Sequence, residues 1–327
     1  MTFKLANKTL TSPVLLAPMA GITDRPFRDL VTKFGAGMVV SEMVASQEMV
    51  QSKPGVWERA ELSADIENTA VQLAGRETYW MAEAARQVES FGAKVIDINM
   101  GCPAKKVTSG ESGSALMKTP DHALRLIEAV VDAVDVPVTL KTRLGWDSTC
   151  LNAAHIAKRA QDAGVSMITI HGRTRCQFYK GTADWGAIRE VVNAVDVPVV
   201  ANGDIVDSGS AKTALAKSGA DGVMIGRGAQ GQPWILAEVS HALGATSGPV
   251  IPVGADFVDL VSEHYLSMIG FYGRPLGVRV ARKHLGWYMD HSGTPADLRR
   301  MVLTEQDPER VVSLLSDALT TPAKVAA

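Results

Sequence analysis

The chain has 327 residues, with 33 Lys and Arg against 35 Asp and Glu and a formal net charge of −2. That balance excludes the uniformly basic field of a protein that coats nucleic acid, and three cysteines without a pairing pattern (Cys102, Cys150, Cys176) exclude a disulfide scaffold and point to a reducing compartment. No apolar run approaches membrane-spanning length and Met1 to Lys8 contain no apolar leader, so a cytoplasmic protein free of the membrane is expected.

In chain order, Phe3-Lys4-Leu5 and Thr9-Leu10-Thr11 flank Ala6-Asn7-Lys8 and read as a small hairpin. Eight β-rich apolar runs follow: Val14–Met19, Met38–Met43, Thr69–Leu73, Val95–Asn99, Pro137–Arg143, Met167–His171, Pro198–Asn202 and Gly222–Gly226. Each precedes helix-forming sequence, and most starts lie about 24 to 32 residues apart, the βα rhythm of a parallel sheet covered on both faces. Eight in a row predict an α/β chain whose core is a closed (β/α)8 TIM barrel. An internal repeat agrees: Val130-Val131-Asp132-Ala133-Val134-Asp135-Val136-Pro137-Val138 recurs as Val191-Val192-Asn193-Ala194-Val195-Asp196-Val197-Pro198-Val199.

The barrel should end near residue 244, with 245–255 a linker rich in Gly and Pro. From Asp256 to Leu319 only helical signals appear, broken at Gly273–Pro275, Ser292–Pro295 and Asp307-Pro308, which predicts a C-terminal bundle of about four helices over 256–327. The last residues, Thr321–Ala327, should fray.

Chemistry concentrates at Asp97-Ile98-Asn99-Met100-Gly101-Cys102-Pro103. Pro103 ends the strand and keeps Cys102 out of helical geometry, leaving the thiol at the lip of a strand, where barrels place their active sites. A thiol ordinarily keeps its proton at neutral pH, so it can serve as a general acid, or as a nucleophile once a base removes that proton. No histidine adjoins it, and a buried strand-end cysteine without a role is the plain alternative.

The other strand ends are also polar: Pro18-Met19-Ala20, Glu42, Gln72, Lys141 with Arg143, His171 to Arg175, Asn202-Gly203-Asp204 and Gly226-Arg227-Gly228. The last two groups follow strands seven and eight, where these barrels commonly bind phosphate through glycine-rich loops, and Arg227 adds a forked cation. Lys141 has two functional readings, a Schiff-base lysine or a cation that stabilises charge on a reduced flavin. A protonated cysteine beside a phosphate-bearing cofactor suits the second.

Four stretches now carry a resemblance. They are Ala17 to Arg28; Asp97 to Pro103 with Gly113-Ser114-Ala115; His171-Gly172-Arg173-Thr174-Arg175; and Ala201-Asn202-Gly203-Asp204-Ile205. Together they resemble the bacterial tRNA-dihydrouridine synthases, closest to the DusB-like subgroup. The resemblance implies FMN in the barrel mouth and NADPH as its reductant. It would set Pro18, Met19 and Ala20 along the isoalloxazine edge, with Gln72 on the pyrimidine ring. Lys141 would sit near N1–C2 and His171 beside the cofactor. Asn202, Gly203, Asp204, Gly226 and Arg227 would hold the ribityl phosphate. Cys102 would protonate C5 of a uracil, in the D loop of tRNA, while flavin N5 gives hydride to C6. Asn99 and Arg175 are candidates for gripping the uracil edge.

The tRNA partner needs positive surface. Between Gly270 and Arg300 six basic residues (Arg274, Arg279, Arg282, Lys283, Arg299, Arg300) oppose Asp290 and Asp297, a local charge of +4. Arg279, Arg282, Lys283 and Gly286 share one helical face, and Val278, Ala281, Leu285 and Tyr288 another. With Arg143, Arg173, Arg175 and Lys180 at the barrel mouth, they read as a phosphate-tracking surface. No metal is expected, and a monomer is. Two rivals stand: a dihydroorotate dehydrogenase-like flavoprotein, against which Ala104 replaces a characteristic Asn, and a non-catalytic RNA-binding scaffold, which would need no proton donor.

Overall fold

The structure, a computed structural model, describes residues 3–62 and 66–320; the fraying expected of 321–327 lies outside them. Eleven strands are found among these residues. The antiparallel hairpin β1 (Phe3–Leu5) and β2 (Lys8–Leu10) comes first. Then come β3 (Val14–Leu16), β4 (Met38–Val40), β5 (Val44–Ala45), β6 (Thr69–Ala74), β7 (Val95–Asn99) and β8 (Val138–Arg143). The last are β9 (Met167–His171), β10 (Val199–Asn202) and β11 (Gly222–Ile225). Parallel pairing runs β4-β3-β11-β10-β9-β8-β7-β6, and β6 closes the ring onto β4. The result is the expected eight-stranded parallel barrel. Two expected strands differ: Val14–Met19 stops at Leu16, and Met38–Met43 stops at Val40 and resumes as the two-residue β5. The turn between them carries Glu42, whose carboxylate accepts the Gly21 N–H instead of extending a ladder.

Side chains alternate across each strand. Ile96 and Ile98, Val138 and Leu140, Ile168 and Ile170, and Val199 and Ala201 point outward into the layer beneath the helices. Leu15, Met38, Ala70, Val95, Met167, Val200 and Met224 point inward and pack with Phe3, Leu5 and Leu10 of the hairpin, which closes the amino-terminal end of the barrel. By the same parity Gln72, Asp97, Asn99, Thr139, Lys141, Arg143, His171 and Asn202 face the interior above that apolar floor.

Local chemistry sets the helix ends. Asp24 caps the Arg25–Lys33 helix by accepting the Phe27 N–H at 3.0 Å, with Pro26 in the first turn. Asp207 and Ser210 form a reciprocal cap on Ser208–Ser218, which stops at Gly219 in left-handed geometry, φ +72°. The internal repeat is structural. Glu89 Oε1 accepts the N–H groups of Asp135 and Val136 at 2.8 and 3.0 Å, and Gln161 Oε1 accepts those of Asp196 and Val197 at 2.6 and 3.2 Å. Each copy is thus an αβ turn pinned by the helix of the preceding unit.

The chain divides into two units. The barrel unit runs to Gly228 and resumes over Leu236–Gly248; the second unit takes Ala229–Ile235 and the chain from Pro249 onward. Residues 229–235 belong with the helices because Trp234 meets Phe257 and His291 edge-on at 5.7 and 5.4 Å, and Gly231 abuts the Trp287 carbonyl. Helices Ala255–Tyr272, Arg274–Ser292, Ala296–Thr304 and Pro308–Thr320 form this unit, with breaks where Gly and Pro predict them. Val278, Ala281, Leu285 and Tyr288 are buried as the amphipathic pattern requires. Among the described residues no helix is long and apolar enough to cross a membrane.

Candidate active site

The carboxyl ends of the barrel strands converge on a polar mouth. Cys102 lies three residues past β7 as a free, half-exposed thiol. Its turn is held from every side. Asn99 Oδ1 accepts the N–H groups of Gly101 and Cys102 at 3.3 and 3.0 Å; Arg143 Nε donates to the Gly101 carbonyl at 2.7 Å. The Cys102 carbonyl accepts from Ser114 Oγ at 2.8 Å and Ser114 N–H at 3.1 Å. Gly113 must be glycine, since its φ is +59° and a Cβ would lie 2.9 Å from the Cys102 oxygen.

Asn99 is itself oriented from below. Its Nδ2 donates to Gln72 Oε1 at 2.7 Å, Gln72 Nε2 donates to Asp97 Oδ2 at 2.6 Å, and Thr139 Oγ1 donates to Asp97 Oδ1 at 2.6 Å. Register builds this chain, since Gln72 lies opposite Asp97 and Asp97 opposite Thr139. Burial pushes the Asp97 carboxyl up to about 6, against the opposing effects of Thr139, Gln72 and Lys141. It is therefore largely ionised at neutral pH and fixes which way both amides point. Gln72 and Asn99, candidates for the flavin and the uracil, have both amide ends hydrogen-bonded within the protein. Gln72 has no exposed surface, and Asn99 is only 7% exposed.

Lys141 lies beside Asn99 in register, and its Nζ donates to Asn202 Oδ1 at 3.2 Å. Asn202 Nδ2 in turn donates to the Met224 carbonyl at 2.8 Å. Burial, helped by the Arg143 charge, lowers the lysine to about 8, while Asp97 and Cys102 oppose the fall. Lys141 thus stays mainly a cation at pH 7. The His171 imidazole is driven far below its usual range by burial and by the charges of Lys141, Arg143 and Arg173, so it is neutral.

The phosphate-type loops sit at the ends of β10 and β11. Gly203 has φ +111°, and a Cβ there would meet Ala183 Cβ at 2.9 Å and His171 Nε2 at 3.3 Å. Arg227, 59% exposed along its side chain, is braced by Asp204 at 3.7 Å and by the Tyr179 ring at 5.2 Å. Asp204, a candidate of the phosphate loop, has its carboxylate engaged by protein donors. It accepts two N–H bonds from Arg173 and one from Ala183, and although partial burial pushes the carboxyl up, Arg173, Ala183 and Arg227 bring it below its ordinary value. Pro18, Met19 and Ala20 form a partly exposed rim.

Arg143 and Arg173 correct the expectation of an open, phosphate-tracking surface, since they are 2% and 1% exposed. Arg143 donates to the Thr174 and Phe178 carbonyls at 3.0 and 2.9 Å; Arg173 donates to those of Lys180 and Gly181 at 3.1 and 2.6 Å. Both clamp the loop after β9. Arg175 does reach the mouth: its guanidinium lies between the rings of Trp146 (4.7 Å) and Phe178 (5.2 Å), donates to Thr108 Oγ1 at 3.3 Å and keeps a buried Nε without an acceptor. Sequence reasoning had no role for Thr139, Ser114, Trp146 or Tyr179. The inward parity of Thr139 and the place of Ser114 in Gly113-Ser114-Ala115 were the signals on offer.

In the helical unit Arg279 is exposed and Arg282 and Lys283 half-buried, as the basic face requires, but Gly286 is buried under Arg299. Arg274 and Arg299 are paired with Asp307 and Asp290 at 2.8 and 3.2 Å.

Comparison with known proteins follows the same line. The family model described as "Dihydrouridine synthase (Dus)" matches residues 15–324. A Rhodobacter capsulatus protein named "Probable tRNA-dihydrouridine synthase" is 61% identical over 322 residues, covering 98% of each chain. The "tRNA-dihydrouridine synthase B" of Xanthomonas campestris is 47% identical over 310 residues, covering 94% of this chain and 93% of that one. The "tRNA-dihydrouridine synthase B" of Vibrio vulnificus is 46% identical over 298 residues, covering 91% and 92%. The family match spans nearly the whole chain, and the Asp97–Pro103 turn lies within it: the protein belongs to the dihydrouridine synthase (Dus) family.

Proposed function

We propose that this chain reduces the C5–C6 double bond of a uridine in the D loop of tRNA to 5,6-dihydrouridine, with FMN in the barrel mouth and NADPH as reductant. The observation that carries the reading is the Cys102 turn, a partly exposed thiol whose own N–H and carbonyl are both hydrogen-bonded, with the half-buried Lys141 cation on the neighbouring strand. Binding alone requires neither.

The mouth suits FMN. Gly203 lets the loop backbone pack against Ala183 and His171 where a Cβ would not fit, Arg227 is a held and exposed cation for a phosphate, and Asn202 and Gly226 complete the two loops. When bound, the flavin supplies the hydride taken up by uracil C6. Lys141, largely charged at neutral pH, stabilises negative charge developing beside it. Neutral His171 offers a hydrogen bond without adding a positive charge to those of Lys141, Arg143 and Arg173 around it. Cys102 delivers its proton to C5, the step that demands a fixed sulfur position. Arg175, whose partly exposed guanidinium lies between two rings, suits an oxygen of the extruded base. Arg279, Arg282 and Lys283 supply phosphate contacts.

Titration of the purified protein with FMN, followed by NADPH and unmodified tRNA, tests the reading. The expected result is flavin bleaching by NADPH and a tRNA uridine gaining two hydrogens by mass spectrometry. A flavin-loaded protein that NADPH reduces but that leaves tRNA uridine unchanged would overturn it.

A further inference from the structure

We propose that Phe178 and Tyr179 form a stacking platform for an unpaired RNA base, a neighbour of the target uridine, at the rim of the barrel. The inference rests on the reading of the chain as a tRNA-modifying enzyme. Phe178 is 36% and Tyr179 52% exposed, and their rings meet edge-on at 6.2 Å. Exposed rings by themselves mean little. Here the backbone has been strained to present them.

Phe178 has φ +55°, a left-handed conformation that is an outlier for a bulky aromatic residue. Such strain persists only where the surroundings over-determine it. They do: the two buried guanidiniums of Arg143 and Arg173 hold the carbonyls of Thr174, Phe178, Lys180 and Gly181. Two desolvated cations thus hold one short loop whose side chains at the apex are exposed. The platform also borders the site, since the Tyr179 ring lies 6.3 Å from that of His171.

The surrounding charge selects the occupant. Arg175 lies 5.2 Å from the Phe178 ring, while Arg143 and Arg227 lie 5.5 and 5.2 Å from that of Tyr179, and Lys180 is exposed next in sequence. Aromatic faces among cations suit single-stranded nucleic acid, where bases stack and phosphates meet the charges. An apolar peptide would gain nothing from that collar. A base extruded into the mouth leaves its neighbours unstacked, and the platform offers one of them a new partner.

Phe178→Leu, with Phe178→Trp as the conservative replacement, tests this in the flavin-loaded full chain. Phe178→Asn, suited to positive φ, serves if the leucine variant folds poorly. The expected result is a KM for tRNA raised about tenfold or more by Leu or Asn, kcat at saturating tRNA within about twofold, and a return to the original KM with Trp. A 2-aminopurine placed beside the target uridine should be quenched by the wild type and not by the Leu variant. An unchanged KM, or a fall in kcat with KM unchanged, overturns the platform while leaving the enzyme reading intact. Failure of the wild type itself to modify tRNA would overturn the enzyme reading first.

Discussion

In the proposed reaction Cys102 must hold its sulfur in one place, and the side chains that fix its turn are Asn99, Gln72 and Asp97. Replacing Gln72 with Leu should leave Asn99 free to turn. Turnover should then fall roughly tenfold or more, as for small misplacements of a catalytic group, while flavin binding persists. Iodoacetamide labelling of Cys102 should change in rate as well, a readout that separates positioning from simple loss of fold. Lys141 gives a pH prediction. With its pKa near 8, its charge is lost as pH rises through that value, so kcat should decline above pH 8, and Lys141→Met should lack that limb at a lower plateau. Asp97 acts on stability. Its folded pKa of about 6 exceeds the ordinary 3.8, so the stability it contributes is fully present below pH 4 and lost as pH rises toward and through 6. Asp97→Asn should flatten that part of the melting-temperature profile. These residues were visible in the sequence as strand-end polar groups. Their partners were not, because each amide's direction depends on the register that sets Gln72 against Asp97.

At the scale of elements, the loop after β9 and the turn after β7 are coupled through Arg143, which holds the Gly101 carbonyl with one nitrogen and the Thr174 and Phe178 carbonyls with another. Arg143→Met would orphan three carbonyls and should cost roughly 3 kcal/mol or more, read as a lowered melting temperature with activity lost in parallel. The arginine looked like an RNA contact because sequence shows its charge and its place at the end of β8 but not the carbonyls that later loops bring to it. The broken second strand was hidden for a related reason: Glu42 reads as the end of a strand until Gly21 appears as its partner. On the Arg274–Ser292 helix, removing Arg279, Arg282 and Lys283 together should weaken tRNA binding and reduce the slope of log affinity against log salt by roughly two to three. An unchanged slope would place the phosphates elsewhere.

For the molecule as a whole, most of the architecture was legible. Eight apolar runs with helices between them admit few arrangements, and the breaks at Gly and Pro set the ends of the C-terminal helices because those residues cannot continue one. The division of the chain was less so. Residues 229–235 carry Trp234 and Gly231 into the helical unit, a tertiary choice with no local signal. What joins fold to function is the parity that turns nine-tenths-buried polar groups toward one mouth, with Cys102 at its lip. The most direct test of that claim is the dihydrouridine content of tRNA from a strain lacking this gene, complemented with the wild-type chain or with Cys102→Ala, after both purified proteins are shown to bind flavin equally. Dihydrouridine should return with the wild type and be absent with the alanine variant. Its return to the same level with Cys102→Ala would contradict the account.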